Sequence, residues 1–123
     1  MAGRIAHPRR GEIWLVNFDP AIGSEIQKIR PALIIQNDIG NRVSPATIVA
    51  AITSTLKRVY PFQVCLPAGE GGLSADSVVT LNHIRSVDRR RLVRRLGAIS
   101  DKTLKQVEQS IVVSLGIDVV GLE

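Results

Sequence analysis

Three groups of polar residues in this chain have the types and spacing to do chemistry. The first is Gly23-Ser24-Glu25 followed by Arg30-Pro31, where a polar loop runs into an apolar stretch. Pro31 biases the backbone of its neighbour towards the extended region, so Arg30 can hold its guanidinium firmly at the mouth of a strand. Taken alone, a surface pair between Arg30 and Glu25 is the better explanation of that spacing, and such pairs contribute little. The second group is Thr53-Ser54-Thr55, at the end of the apolar run 48–52. Hydroxyls there can donate to a phosphate oxygen, although ordinary strand and turn chemistry explains them better on its own. The third is the arginine block Arg85, Arg89, Arg90, Arg91, Arg94 and Arg95, preceded by His83. Strand alternation divides such a block between two faces. Contact with an RNA backbone, docking of an acidic partner segment and a solvated, self-repelling turn all stay open. His83 can stack on or hydrogen-bond a base, or titrate. As a catalyst it is better read as a plain surface or half-buried histidine, with base contact almost as good a reading.

Other chemistries lack their residues. Gly69-Glu70-Gly71-Gly72 has no following Lys-Ser/Thr and lies between strand-like runs, so it reads as a turn and not as a phosphate loop. There is no H-E-x-x-H and no carboxylate cluster suited to Mg²⁺. Cys65 is the one cysteine, which excludes an internal disulfide and makes a thiolate metal site implausible. His7 stands far from His83 in a polar N-terminal stretch, a poor place for half of a two-histidine site. No nucleophile elbow supports a Ser-His-Asp triad. An enzyme built from these residues is expected to need neither metal nor cofactor.

The partner class follows from charge. The net charge is +5 and the sequence pI about 10.1. Twelve of the 16 basic residues are Arg, whose planar fork pairs with phosphate at two points. A polyanionic partner fits this balance, and so does the codon bias of a GC-rich genome. Neither a signal peptide nor a run of ~20 apolar residues is present, and a soluble cytoplasmic protein is expected.

These side chains need a scaffold. With 123 residues, 45% of them hydrophobic and only 3% aromatic, the chain suits one domain with an aliphatic core. Residues 1–8 read as a loose basic arm and residues 9–123 as a single domain. Apolar, β-rich runs are expected near 13–18, 32–35 (opened by Pro31), 47–53, 62–66, 77–81, 84–87 and within 92–99. Residues 37–45 read as a turn-rich connection. Ser100 can cap a helix that Gly116 stops, with Leu104, Val107, Ile111 and Leu115 as one apolar stripe. Many short strands with one C-terminal helix, and no alternation of strand and helix, predict a mainly β fold: a small, strongly bent barrel closed by the helix.

The order of the motifs carries a resemblance. Arg10-Gly11-Glu12-Ile13-Trp14, then Gly23-Ser24-Glu25, then Arg30 through Asp38 (R-P-A-L-I-I-Q-N-D), resemble the successive signatures of MazF/PemK toxins. Ile39-Gly40-Asn41-Arg42, Ser44-Pro45 and Ile48 through Thr53 continue the match. Asp76-Ser77-Val78-Val79, Ile84-Arg85, Asp88 and Arg91-Leu92 extend it over roughly residues 10–116. Each block alone is weak; their order and spacing make the signal. The resemblance implies an SH3-like β-barrel of the kind shared with CcdB toxins, a homodimer, and a metal-independent endoribonuclease cutting single-stranded RNA within short sequences. It also implies a MazE-like antitoxin as partner, with indirect DNA association through it, and no membrane partner. Position by position, it puts catalysis on Arg30 and Thr53, with Glu25 in the active-site loop. It puts RNA contact on Gly23, Ser24, Ser54, His83 and Arg85. His83 departs from the family pattern, which has Gln before Ile-Arg, and so implies a different cut sequence. A non-catalytic RNA- or protein-binding module of the same barrel, or a topoisomerase-poisoning toxin of similar fold, are the alternatives.

Overall fold

Alternating apolar residues build a single antiparallel sheet in this computed structural model, which describes residues 7–18, 28–54 and 59–118. The strands are β1 (Glu12–Asn17), β2 (Ile29–Ile34), β3 (Ala46–Ser54), β4 (Gln63–Leu66), β5 (Ser77–Asp88) and β6 (Leu92–Ala98). Helix α1 (Asp38–Val43) follows β2, and α2 (Asp101–Leu115) follows β6. The strand order is β4-β5-β3-β2-β1-β6, and every neighbouring pair is antiparallel. The fold is therefore mainly β with a C-terminal helix, as expected, although β4 and β6 are edges and the described sheet is not closed.

Each face carries its own cluster. One, built on Ile13, Leu33, Ala50, Ile52, Leu66, Val79 and Leu81, lies under α2, which contributes Leu104, Val107 and Ile111. The helix starts where expected, with the Ser100 hydroxyl accepting from the Thr103 N–H at 3.2 Å, and stops at Gly116 with φ 67°. Leu115 is exposed, so the apolar stripe ends one turn early. The other face carries Val16, Ala32, Ile34, Val49 and Val87, flanked by Trp14, Phe18 and Leu92. No described helix covers that cluster, yet Val16, Ala32, Ile34 and Val49 are fully buried. A sheet that curls over this face accounts for the burial, and it is the barrel-like element of the fold.

Three local expectations change. Residues 37–45 contain α1, because Asn37 caps it by accepting from the Gly40 N–H at 2.8 Å. The two short strands expected at 77–81 and 84–87 are one bulged strand. Pro31 lies inside β2, two residues after its start. It pairs with Leu15 of β1, whereas the β2–β3 ladder runs only from Ala32 onwards. A proline has no N–H to give, and the ladder stops beside it. Pro8, assigned to the arm by the sequence, is fully buried, and residues 1–6 lie outside the described residues.

The segment after β2 closes on a buried polar knot. Asn41 is fully buried. Its Oδ1 accepts from Gln36 Nε2 at 3.1 Å and from Thr47 Oγ1 at 2.7 Å. Its Nδ2 donates to the Gln36 carbonyl at 3.0 Å and to Asp38 Oδ1 at 3.2 Å. All four hydrogen-bonding positions of the amide are used. Asp38 Oδ1 also accepts from the Arg10 N–H at 2.8 Å, tying the knot to the start of β1. The Q-N-D-x-G-N run is therefore structural.

Replacing Asn41 by Ala strands several buried partners and is expected to cost about 3 kcal/mol, whereas Thr47→Val costs about 1 kcal/mol. Urea unfolding measures both, and near-equal losses would remove the central role of the amide. Acid should act on the same region. The Arg10 N–H, the largest effect, holds the Asp38 carboxyl below its ordinary range; desolvation opposes it, and the bond from Asn41 adds a smaller lowering. Burial pushes Glu12 upwards, but bonds from Trp14, the Arg9 N–H and Arg95 outweigh it and the net shift is downwards. Stability from depressed carboxyls is present above the ordinary carboxylate range and is lost as pH falls through their folded values. The urea midpoint of wild type should therefore fall on acidification through that range, with the gap to Asp38→Asn narrowing as it does.

Candidate active site

The site begins where the β2–β3 ladder ends. Its last pair is Ala32↔Ala51. Continuing that register by two residues sets Arg30 opposite Thr53. Side chains two apart on a strand share a face, so Arg30 points with Ala32 and Ile34, and Thr53 with Ala51 and Val49. Val16 of β1 flanks Arg30 from the other side, as its partner in the β1–β2 ladder. Both polar side chains thus cap the end of the cluster that no helix covers. Pro31 terminates the pairing between them, so the two strand ends frame a mouth.

A bulge in β5 completes the site. Ala50 pairs with Ile84, but the next residue, Ala51, pairs with Thr80. Leu81, Asn82 and His83 are therefore extra residues on β5. An odd number of extra residues reverses which face each later residue meets. Val79 and Leu81 lie in the cluster under α2, whereas Val87 lies in the opposite one. The reversal brings Arg85, opposite Val49, to the face of Arg30 and Thr53. His83 is the last of the extra residues and is exposed.

These residues surround a cleft of about 680 Å³, lined by Arg30, Thr53, Ser54, His83 and Arg85, with Phe18, Pro31, Ala51, Ile52, Leu73, Ser74, Ala75 and Ser77. Every described residue to which the resemblance gives catalysis or RNA contact is on this lining. Gly23, Ser24, Glu25 and Thr55 lie outside the described residues. The volume falls in the range of about 300–1,000 Å³ typical of ligand clefts. No described lining residue is acidic, and no hydrogen bond or ion pair among the described residues engages the Arg30 side chain. Two guanidinium groups, an imidazole and four hydroxyls around an apolar floor suit a phosphodiester with an adjoining base. Among the described residues, no group of three or more His, Cys, Asp or Glu has the makings of a metal site.

Phe18, Ser74 and Ser77 line the cleft without having been singled out. Phe18 carried a signal: Trp14, Val16 and Phe18 alternate on one face of β1 and its continuation. Ser74 sits in a loop that offered none, and Ser77, at the start of β5, stood only within the Asp76-Ser77-Val78-Val79 motif. The rest of the arginine block turns elsewhere. Arg90 pairs with Asp88 at 3.0 and 3.2 Å. Arg91 donates to the Asn17 carbonyl at 3.1 Å, Arg89 to the Ser44 carbonyl at 3.4 Å, and Arg95 to Glu12 at 2.7 Å. These four brace the strand ends, and only Arg85 of the block reaches the cleft.

Comparison with known proteins adds an independent line. Residues 9–115 match the family described as PemK-like, MazF-like toxin of type II toxin-antitoxin system. Endoribonuclease MazF of Staphylococcus saprophyticus is 44% identical over 110 residues, covering 89% of this chain and 92% of that protein. Endoribonuclease EndoA of Bacillus subtilis is 38% identical over 110 residues, covering 89% and 95%. Among solved structures, a MazE–MazF crystal structure from Deinococcus radiodurans is 33% identical, with a TM-score of 0.77, and the match covers 93% of this chain and all of that one.

Side chains kept for a substrate contribute little to folding. Arg30→Ala and Thr53→Val are both expected to change unfolding free energy by less than about 0.5 kcal/mol, as for surface positions without partners. Losses above about 2 kcal/mol in urea unfolding would instead assign these residues to the scaffold.

Proposed function

The chain belongs to the PemK-like, MazF-like toxin family and is an endoribonuclease; on that premise we propose that its cleft cuts single-stranded RNA through the RNA's own 2′-hydroxyl. The observation that carries this reading is the convergence of Arg30, Thr53, Ser54, His83 and Arg85 on one cleft lining.

In the proposed reaction the 2′-hydroxyl gives up its proton, its oxygen attacks the adjacent phosphorus, the bond to the 5′-oxygen breaks, and the leaving 5′-oxygen takes up a proton from solvent. The products are a 2′,3′-cyclic phosphate and a 5′-hydroxyl. Negative charge gathers on the non-bridging oxygens in the transition state. A guanidinium and a hydroxyl aimed at those oxygens lower its energy, because they act where charge develops. Arg30 takes the charge-stabilising role and Thr53 donates to a phosphate oxygen. A guanidinium keeps its proton throughout the working pH range, so Arg30 is not assigned as the base. Glu25, which the resemblance places in the active-site loop, is proposed to orient Arg30 or to take the 2′-hydroxyl proton. Gly23, Ser24, Ser54, His83 and Arg85 are proposed to contact the RNA, with bases splayed against the loop and against His83. No metal or cofactor has a part in this scheme.

The partners follow the same reading. The Deinococcus radiodurans relative is a MazE–MazF complex, and a MazE-like antitoxin is the proposed partner here. A homodimer, an indirect association with DNA through the antitoxin, and action in the cytoplasm belong to the same proposal. No described helix is long and apolar enough to cross a membrane.

Incubation with single-stranded RNA in excess EDTA should give cleavage with cyclic-phosphate ends. A 2′-deoxy nucleotide at the cut should abolish it. Arg30→Ala should lower kcat by about 100-fold or more, in the range seen for removal of one donor to a developing oxyanion. Undiminished cleavage by Arg30→Ala would overturn the assignment.

A further inference from the structure

Arg85 is the second guanidinium of the cleft, and what holds it is not an acid. Its guanidinium carbon lies 5.2 Å from the centroid of the Phe18 ring, within the distance at which a cation is attracted by a ring face. The two residues come from distant parts of the sheet. Phe18 directly follows β1, Arg85 lies on β5, and β2 and β3 stand between those strands in the sheet order. The contact therefore spans the curled face and joins opposite walls of the cleft that both residues line. Phe18 is itself fixed. Its N–H donates to the Lys28 carbonyl at 2.8 Å, and its side chain packs against the cluster of Val16, Ala32, Ile34, Val49 and Val87.

We propose that Phe18 is a positioning residue for substrate binding: its ring holds the Arg85 fork across the cleft, oriented for the RNA phosphate backbone. This rests on the reading of the cleft as an RNA site. An exposed arginine on a flexible stem loses rotamer freedom when it grips a phosphate. A ring that already restrains the fork reduces that loss, and it does so without neutralising the charge the phosphate needs. An acidic partner would restrain it equally well but would compete with the phosphate.

The test is a double-mutant cycle on binding. The probe is a single-stranded RNA that carries 2′-deoxy nucleotides and is not cut. Phe18→Leu, which keeps an apolar side chain on the cluster, should weaken binding roughly 3- to 10-fold. In an Arg85→Ala background the same change should cost less than about 2-fold, because the partner is gone. Phe18→Trp should restore wild-type affinity. In cleavage of the all-ribose strand, Phe18→Leu should raise KM and leave kcat near the wild-type value. An equal loss in both backgrounds, or no loss in either, overturns the proposal. Failure of wild type to cut the all-ribose strand would instead overturn the active-site reading, while the cycle still reports on Phe18 through binding.

Discussion

An antiparallel strand shows alternate residues to opposite faces, and an odd insertion reverses the assignment of everything beyond it. That parity rule organises this protein. On β2 and β3 it sends Leu33, Ala50 and Ile52 to the helix side, and Ala32, Ile34 and Val49 to the face that the curled sheet encloses. Arg30 and Thr53 stand in the second row, where it runs out into solvent. β5 would miss this arrangement without its bulge. With Leu81, Asn82 and His83 unpaired, Leu81 stays in the core under α2, and Arg85 is delivered to the cleft. One irregularity therefore lets a single strand supply both core and site.

The cleft also needs the sheet to open at a defined place. Pro31 supplies that by ending the β2–β3 pairing at Ala32↔Ala51 while β2 keeps its partner in β1. Arg30 is thus anchored on one side and free on the other. At the far end of β2 the chain must turn back into β3, and the Asn41 knot fixes that return. It holds Gln36, Asp38 and Thr47 with bonds of 2.7–3.2 Å. A buried amide with unmet partners would cost more than the turn could recover, so the knot specifies one geometry. The register that sets Arg30 against Thr53 depends on that geometry.

Much of this was legible in the sequence because it is local. Ser100, Gly116 and the stripe at 104, 107 and 111 define α2 through capping and periodicity, and the apolar run in β3 marks a central strand. The helix at α1 was not legible: six residues are too few to show a period, and its stability comes from the Asn37 cap and the buried Asn41. In the sequence the bulge looks like a break between two strands, since alternation fails at His83 and a sequence does not tell a phase change from a chain reversal. Arg30 and Thr53 were indistinguishable from a surface pair and a strand end by their own chemistry. Only the ordered motifs raised them, and register then put them on one face. Phe18 was visible as an apolar residue in phase with Trp14 and Val16, but its meeting with Arg85 across two intervening strands depends on the curl of the sheet.

The charge pattern of the cleft follows from what an anion site must avoid. An arginine paired with a carboxylate must give up that partner before it can hold a phosphate, which subtracts from binding. Elsewhere this chain pairs its arginines: Arg90 with Asp88, Arg95 with Glu12 and Arg10 with Glu108. On the described cleft lining it places Arg30 and Arg85 with hydroxyls and no acid. Two like charges facing one space repel, but both are exposed, and solvent screening keeps that cost small. A phosphodiester entering between them relieves the repulsion and displaces the solvent that screened it, so each guanidinium interacts more strongly with the bound anion than it did with its neighbour. Among the described residues the lining carries no carboxylate to compete with the phosphate, and restraint of the Arg85 fork falls to a ring that carries no charge.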